Sequence, residues 1–222
     1  MQIIDIQTEQ TTAFTDILLG ITALLLLIFI YKTGHKIDLK KVRIWSWAFA
    51  LLALSSFLGA VAHGLEMTAE LNYWIWQPIN LFLGLTIAFF VIAVVYDIRG
   101  YSIHRYFVIL MIILSIVFYI ITIIIPGSFL VFIIYEAIAM LIALVCYFIL
   151  VFRESFKGAI FMVIGILLSI IAAVIQSKES VAFKLIWEFD HNGIFHLIQI
   201  IALIFLYIGL RKELVSRKTN LN

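Results

Sequence analysis

Residues 189–210 read FDHNGIFHLIQIIALIFLYIGL. From Asn192 to Leu210 this stretch holds no Asp, Glu, Lys or Arg. A helix needs about 20 apolar residues to cross the hydrocarbon core of a bilayer, so the stretch predicts a membrane-spanning helix. Its mouth carries an acid (Asp190), two histidines (His191, His196) and two amides (Asn192, Gln199). Polar groups are costly at such a depth and mark functional positions when they occur. The apolar part of the stretch decides the fold, and its polar start raises the question of function.

The same criterion, applied along the 222 residues, finds seven runs: Phe14–Tyr31, Val42–Gly64, Trp74–Tyr96, Tyr106–Ile125, Phe129–Phe152, Gly158–Gln176 and Asn192–Leu210. The chain is 65% hydrophobic with a mean hydropathy of +1.18. Soluble domains are roughly 45–50% apolar, so a soluble fold could not hide this excess. No run shows the ten-residue alternation of a barrel strand. The connections are short and contain no linker or repeat. Cys146 stands alone in an apolar run and forms no internal disulfide. The expected fold is therefore all-α and integral to the membrane, a single seven-helix bundle over residues 1–222.

Orientation follows from the basic residues, which concentrate on the cytoplasmic side of membrane proteins. Thirteen of the fifteen Lys and Arg fall in the odd-numbered loops and the C-terminal tail, and only Lys178 and Lys184 lie on the other side. The expectation is an N-terminus outside and a cytoplasmic C-terminus. The first fifteen residues contain no Lys or Arg, so a cleavable signal peptide is not expected and the first run is read as retained. Trp45, Trp47, Trp74, Trp76 and Trp187 fall near run ends, as an aromatic belt places them. The compact layout and short loops suggest a multi-pass protein of a bacterial cytoplasmic membrane. Its expected partners are membrane lipids and not nucleic acid.

Depth organises the polar residues. His63 lies near the outer end of the second run, with Ser56 two turns before it. Gln77 and Asn80 lie just inside the outer start of the third. Glu136 sits roughly 10 Å below the outer start of the fifth, at 1.5 Å per residue. Asn192, His196 and Gln199 form an i, i+4, i+7 stripe on the seventh. His191 is about 140° from His196 around that helix. Four runs far apart in sequence thus place His, Asn, Gln and Glu at one depth in the outer half. The inner half reads as holding only scattered Ser and Thr. A common depth implies a common pocket, because buried polar groups in a membrane need partners or water.

Plainer readings stand beside this one. Asp190 suits a helix N-cap, and His191 is then a cap neighbour as readily as a ligand. Gln77 and Asn80 suit bonds between helices, and Pro78 suits a helix start. Glu136 resists a plain reading: a carboxylate at that depth is neutral, paired or near a cation.

The segment HNGIFHLIQIIALIF, together with His63 and the seven-run layout, resembles the CREST superfamily. That group includes alkaline ceramidases, progestin and adipoQ receptors and post-GPI-attachment lipid hydrolases. The resemblance implies a seven-helix bundle in which three histidines hold zinc, and a bound water attacks a lipid amide or ester. His63 matches the family's helix-two histidine, and His196 matches the second of its helix-seven pair. The first of that pair falls on Asn192, beside His191. The family's serine falls on Gly59, and Asn80 falls near its helix-three aspartate.

One expected function is thus a zinc-dependent membrane hydrolase acting on a lipid amide or ester. His63, His191 and His196 would be the metal ligands, and Glu136 and Asn80 the catalytic groups. Ser56, Gln77, Asn192 and Gln199 would orient ligands or substrate. The alternative is a non-catalytic lipid-binding, sensing or structural protein with no metal. A third reading is a b-type haem protein with His63 and His196 as axial ligands.

Overall fold

The computed structural model describes residues 2–100, 102–125, 130–178, 180–184 and 186–221. Among these it contains seven long helices: α1 Gln7–Gly34, α2 Leu39–Gly64, α3 Ala69–Ile98, α4 Arg105–Ile124, α5 Leu130–Phe152, α6 Ala159–Gln176 and α7 His191–Leu221. All seven are long and apolar enough to cross a membrane. Each expected run coincides with one helix. The expected start of the fifth, Phe129, lies outside the described residues. A short hairpin, β1 (Phe183–Lys184) against β2 (Glu188–Phe189), lies between α6 and α7.

Four of the helices, α1, α2, α3 and α7, run further than the apolar runs. An apolar count stops at the first polar turn, whereas backbone hydrogen bonding continues for as long as a cap or tertiary contact supports it. The Thr68 hydroxyl caps α3 by accepting from the Leu71 N–H at 3.2 Å. Pro78 consequently lies inside α3, which corrects its reading as a helix start: its missing N–H falls in the second half of the third turn. Asp190 does cap α7, its Oδ1 accepting from the Gly193 N–H at 2.9 Å.

Neighbouring helices close a ring. α1 packs on α2 and α7, α2 on α3, α3 on α5, α5 on α6, and α6 on α7. α4 lies outside this ring against α3, and only Met111, Ser115 and Phe118 of its residues are buried. The Ser115 hydroxyl donates to the Gly84 carbonyl at 3.0 Å and fastens the two helices. The α6–α7 contact is the tightest: a Cβ on Gly158 would land on the Gly209 carbonyl oxygen, and one on Gly165 would come 2.9 Å from the Ala202 carbonyl. Small residues let two backbones approach this closely. Large apolar side chains cover the outside, among them Ile109, Ile113, Leu141, Val145 and Ile171.

The end of the bundle holding the carboxyl ends of α3 and α7 is not the Ser/Thr-only region that the sequence suggested. Lys41 on α2 and Asp97 on α3 form a wholly buried ion pair at 2.8 Å. The Tyr147 hydroxyl of α5 donates to the other Asp97 oxygen at 2.8 Å. Nearby, Asp38 accepts from the Tyr96 hydroxyl at 3.0 Å and faces Arg217 at 3.4 Å. Arg217 donates to Glu213 at 2.7 Å, and Glu213 accepts from the Lys157 N–H at 2.8 Å. These charges lie at or beyond the ends of the apolar runs, where they read as loop charges. Extension of the helices carries them into the bundle.

Candidate functional site

The opposite end, which holds the chain's N-terminus, contains a cavity of about 1190 Å³. All nine residues singled out from the sequence line it: Ser56, His63, Gln77, Asn80, Glu136, His191, Asn192, His196 and Gln199. They come from α2, α3, α5 and α7, as the common-depth argument required. Most of the remaining wall is apolar, with Leu19, Phe49, Leu83, Phe90, Met140 and Leu206 among its residues.

The sequence reading missed the contribution of α1. Asp16, 5% exposed, lines the cavity. Its carboxylate occupies the space left by the absent side chain of Gly59, where a Cβ would lie 2.7 Å from Oδ2. Gly59 therefore makes room for an acid from another helix. Asp16 faces His196 Nε2 at 3.4 Å. On the other side of the ring, His196 Nδ1 lies 3.1 Å from the Thr15 hydroxyl, which donates to the Thr12 carbonyl at 2.9 Å. The His196 ring is thus held between the Thr15 hydroxyl and the Asp16 carboxyl at the cavity wall.

α1 also supplies Glu9, whose Oε2 lies 2.7 Å from His63 Nδ1. The edge of Trp76 packs against the His63 ring, with centroids 5.5 Å apart and planes at 90°. Thr12 on the same helix donates to Asp190 at 2.9 Å and ties the α7 cap to α1. A sequence signal for Asp16 existed. An acid two residues into an apolar run is a functional-site hypothesis by itself, and Thr12, Thr15 and Asp16 share a helix face.

Several cavity-lining groups have polar atoms that are buried without a partner among the described residues. These include Gln77 Oε1, Glu136 Oε2, Gln176 Oε1, Gln199 Oε1, His191 Nδ1 and Trp45 Nε1. The orientation of Gln77 is fixed, because its Nε2 donates to the Tyr73 carbonyl at 3.1 Å. Gln176 Nε2 reaches Asn192 Oδ1 at 3.4 Å. Buried polar atoms in native proteins are nearly all hydrogen-bonded, and here several residues around one cavity carry such atoms with no partner among the described residues.

The three histidines line this cavity, yet among the described residues no group of three His, Cys, Asp or Glu is placed to hold a metal ion. His63 is engaged by Glu9, and His196 by Thr15 and Asp16. The arrangement does not fit zinc, and no chemical step is derived through it.

A model for a family of unknown function, DUF6962, matches residues 11–215. The chain belongs to this family. The matched span takes in α2 to α6 whole, α1 from Thr11 and α7 as far as Val215, so it includes Asp16 and every cavity residue predicted from the sequence. No curated protein and no solved structure matches the chain.

Proposed function

We propose that this chain is a multi-pass membrane protein whose N-terminal end faces outward, and that the cavity at that end binds an amphiphilic lipid. The charge split supports the orientation. The uniformly apolar outside supports the membrane, since contiguous apolar surface on this scale is not tolerated in water. One observation carries the binding reading: a large cavity with mostly apolar walls, lined among the described residues by several that carry unpartnered polar atoms. Small-molecule sites typically occupy roughly 300–1,000 Å³, and this one is larger. Apolar walls accommodate a hydrocarbon chain, and the polar cluster accommodates its head.

Zinc-dependent hydrolysis of a lipid amide or ester, as the CREST resemblance implies, is the second reading. What favours it is that His63, His191, His196, Glu136 and Asn80 share one cavity, although among the described residues no three are placed to hold a metal. Binding needs no rearrangement of these groups, whereas metal catalysis does, and binding is therefore the conclusion drawn.

The test is to purify the chain in a mild detergent, identify retained lipid by mass spectrometry and measure metal in the same sample. Stoichiometric lipid in the wild type, reduced in Leu83→Trp, is the expected result; the substitution adds bulk from the α3 wall. No lipid above the micelle background in either protein defeats the reading. About one zinc per chain moves the conclusion to the hydrolase.

A further inference from the structure

Among the cavity's described lining residues there is no Lys or Arg; there are four acids and three histidines, of which His63 is engaged by Glu9 and His196 faces Asp16. Asp5 and Glu66 are exposed, whereas Asp16 and Glu136 are buried deeper. Asp16 has His196 as its partner. Glu136, 3% exposed, has an oxygen that meets no donor among the described residues. Gln77 Oε1 and Gln199 Oε1 are buried and unpartnered in the same wall. Turning the Gln77 amide over would lose its bond to the Tyr73 carbonyl. Among the cavity's described unpartnered atoms, the Trp45 indole N–H is a fixed donor.

These features constrain the head group. A phosphate or carboxylate brings negative charge to buried carboxylates and finds no guanidinium or ammonium to receive it. An ammonium group carries three donors and no acceptor, which complements a set of orphaned oxygens and supplies the counter-charge to Glu136. Aromatic rings at Tyr73 and Trp76 line the same cavity, and such rings attract cations. The cavity is too large and too apolar to be filled by a small soluble amine.

Resting on the binding reading above, we propose that the cavity selects an amphiphile whose head is a protonated amine, seated among Glu136, Gln77 and Gln199, with its hydrocarbon chain along the apolar wall. Glu136 is the counter-ion, and the two amides orient the ammonium by accepting its hydrogen bonds.

The experiment uses the full chain in maltoside detergent and four probes: dodecylamine, dodecan-1-ol, dodecanoate and butylamine. Apparent affinity is read from ligand-dependent shifts in the melting curve. Leu83→Trp reports the probes' effect on the micelle. Dodecylamine should bind at least about tenfold more tightly than dodecan-1-ol, as expected when a charge-assisted hydrogen bond replaces a neutral one. Dodecanoate and butylamine should be weaker still. Glu136→Gln should reduce the preference for amine over alcohol to within about threefold while alcohol binding persists. Equal binding of amine and alcohol by the wild type overturns this inference and leaves the lipid-binding reading intact. Tighter binding of dodecanoate, or butylamine matching dodecylamine, also overturns it. Failure of every probe to shift the wild type overturns the binding reading itself. The wild-type comparison across head groups decides the matter even where Glu136→Gln fails to fold.

Discussion

Replacing Lys41 with Met should be among the most damaging single changes in this protein. Lys41 and Asp97 are both fully buried and meet at 2.8 Å. The Lys41 ammonium also lies 4.7 Å from the centre of the Phe156 ring. Lys41→Met is close in volume, so packing changes little. The loss comes from Asp97, which keeps the Tyr147 hydroxyl but loses its counter-charge. Removing one partner of a buried pair costs about 3–5 kcal/mol, because a charge is left uncompensated. At roughly 2–4 °C per kcal/mol for a chain of this size, the melting temperature should fall by roughly 6–20 °C. The double variant Lys41→Met/Asp97→Asn removes both charges and leaves Tyr147 an oxygen to donate to. Replacing a whole buried pair is often neutral, so the double variant should recover most of the loss. The coupling between the two sites should exceed about 2 kcal/mol. Melting curves of wild type, both single variants and the double, in one detergent, provide the cycle. Additive losses would show that Lys41 and Asp97 do not act as a pair, and the account of this end of the bundle would be wrong.

Gly158→Ala should destabilise the bundle by about 3 kcal/mol or more, since the new methyl meets a backbone oxygen of α7 that cannot move aside. Gly165→Ala should cost less, because part of its clash is with the movable Leu206 side chain; melting curves that rank the two in the opposite order would refute the described α6–α7 contact. A reporter active only in the cytoplasm should work when fused after Asn222 and fail when inserted between Lys178 and Glu188, as the basic-residue split requires. The reverse pattern would place the cavity on the cytoplasmic side.

The seven helices were legible because a bilayer-length apolar run is a strong signal that needs no knowledge of packing. Their ends were not. Lys41 precedes the second run, Asp97 follows the third, and Glu213 follows the seventh, and each read as a charge in water. Only the folded arrangement shows that Asp97 turns inward toward Lys41 and Tyr147. The cavity was legible for a related reason: in helices that alternate direction, sequence position converts to depth, and residues at one depth can meet. The depth argument found Gln77, Glu136 and His196 on three different helices. It missed Glu9 because α1 was taken to begin at Phe14, and it passed over Asp16, which lies inside that run. It could not foresee that Gly59 would leave a recess for the Asp16 carboxylate, because that contact depends on how α1 and α2 rotate against each other.

The two polar ends of the bundle differ in a way that locates function. At the C-terminal end, the described contacts bring a cation or a donor to each buried acid: Lys41 and Tyr147 to Asp97, Tyr96 and Arg217 to Asp38, Arg217 and the Lys157 N–H to Glu213. Such a set is complete, so it contributes to one fixed arrangement of the helices. At the N-terminal end, Asp16 and Asp190 are matched within the protein, but Glu136, Gln77 and Gln199 keep oxygens that nothing in the described structure satisfies. Each such oxygen costs about 1–3 kcal/mol if it stays unpaired. The fold gains nothing from that expense, because an apolar residue at any of these positions would pack against the same wall without it. The three residues line one cavity, and a polar group bound there would account for them. The proposed binding site therefore lies at the N-terminal end of the bundle, and the ion network at the other end helps hold the helices around it.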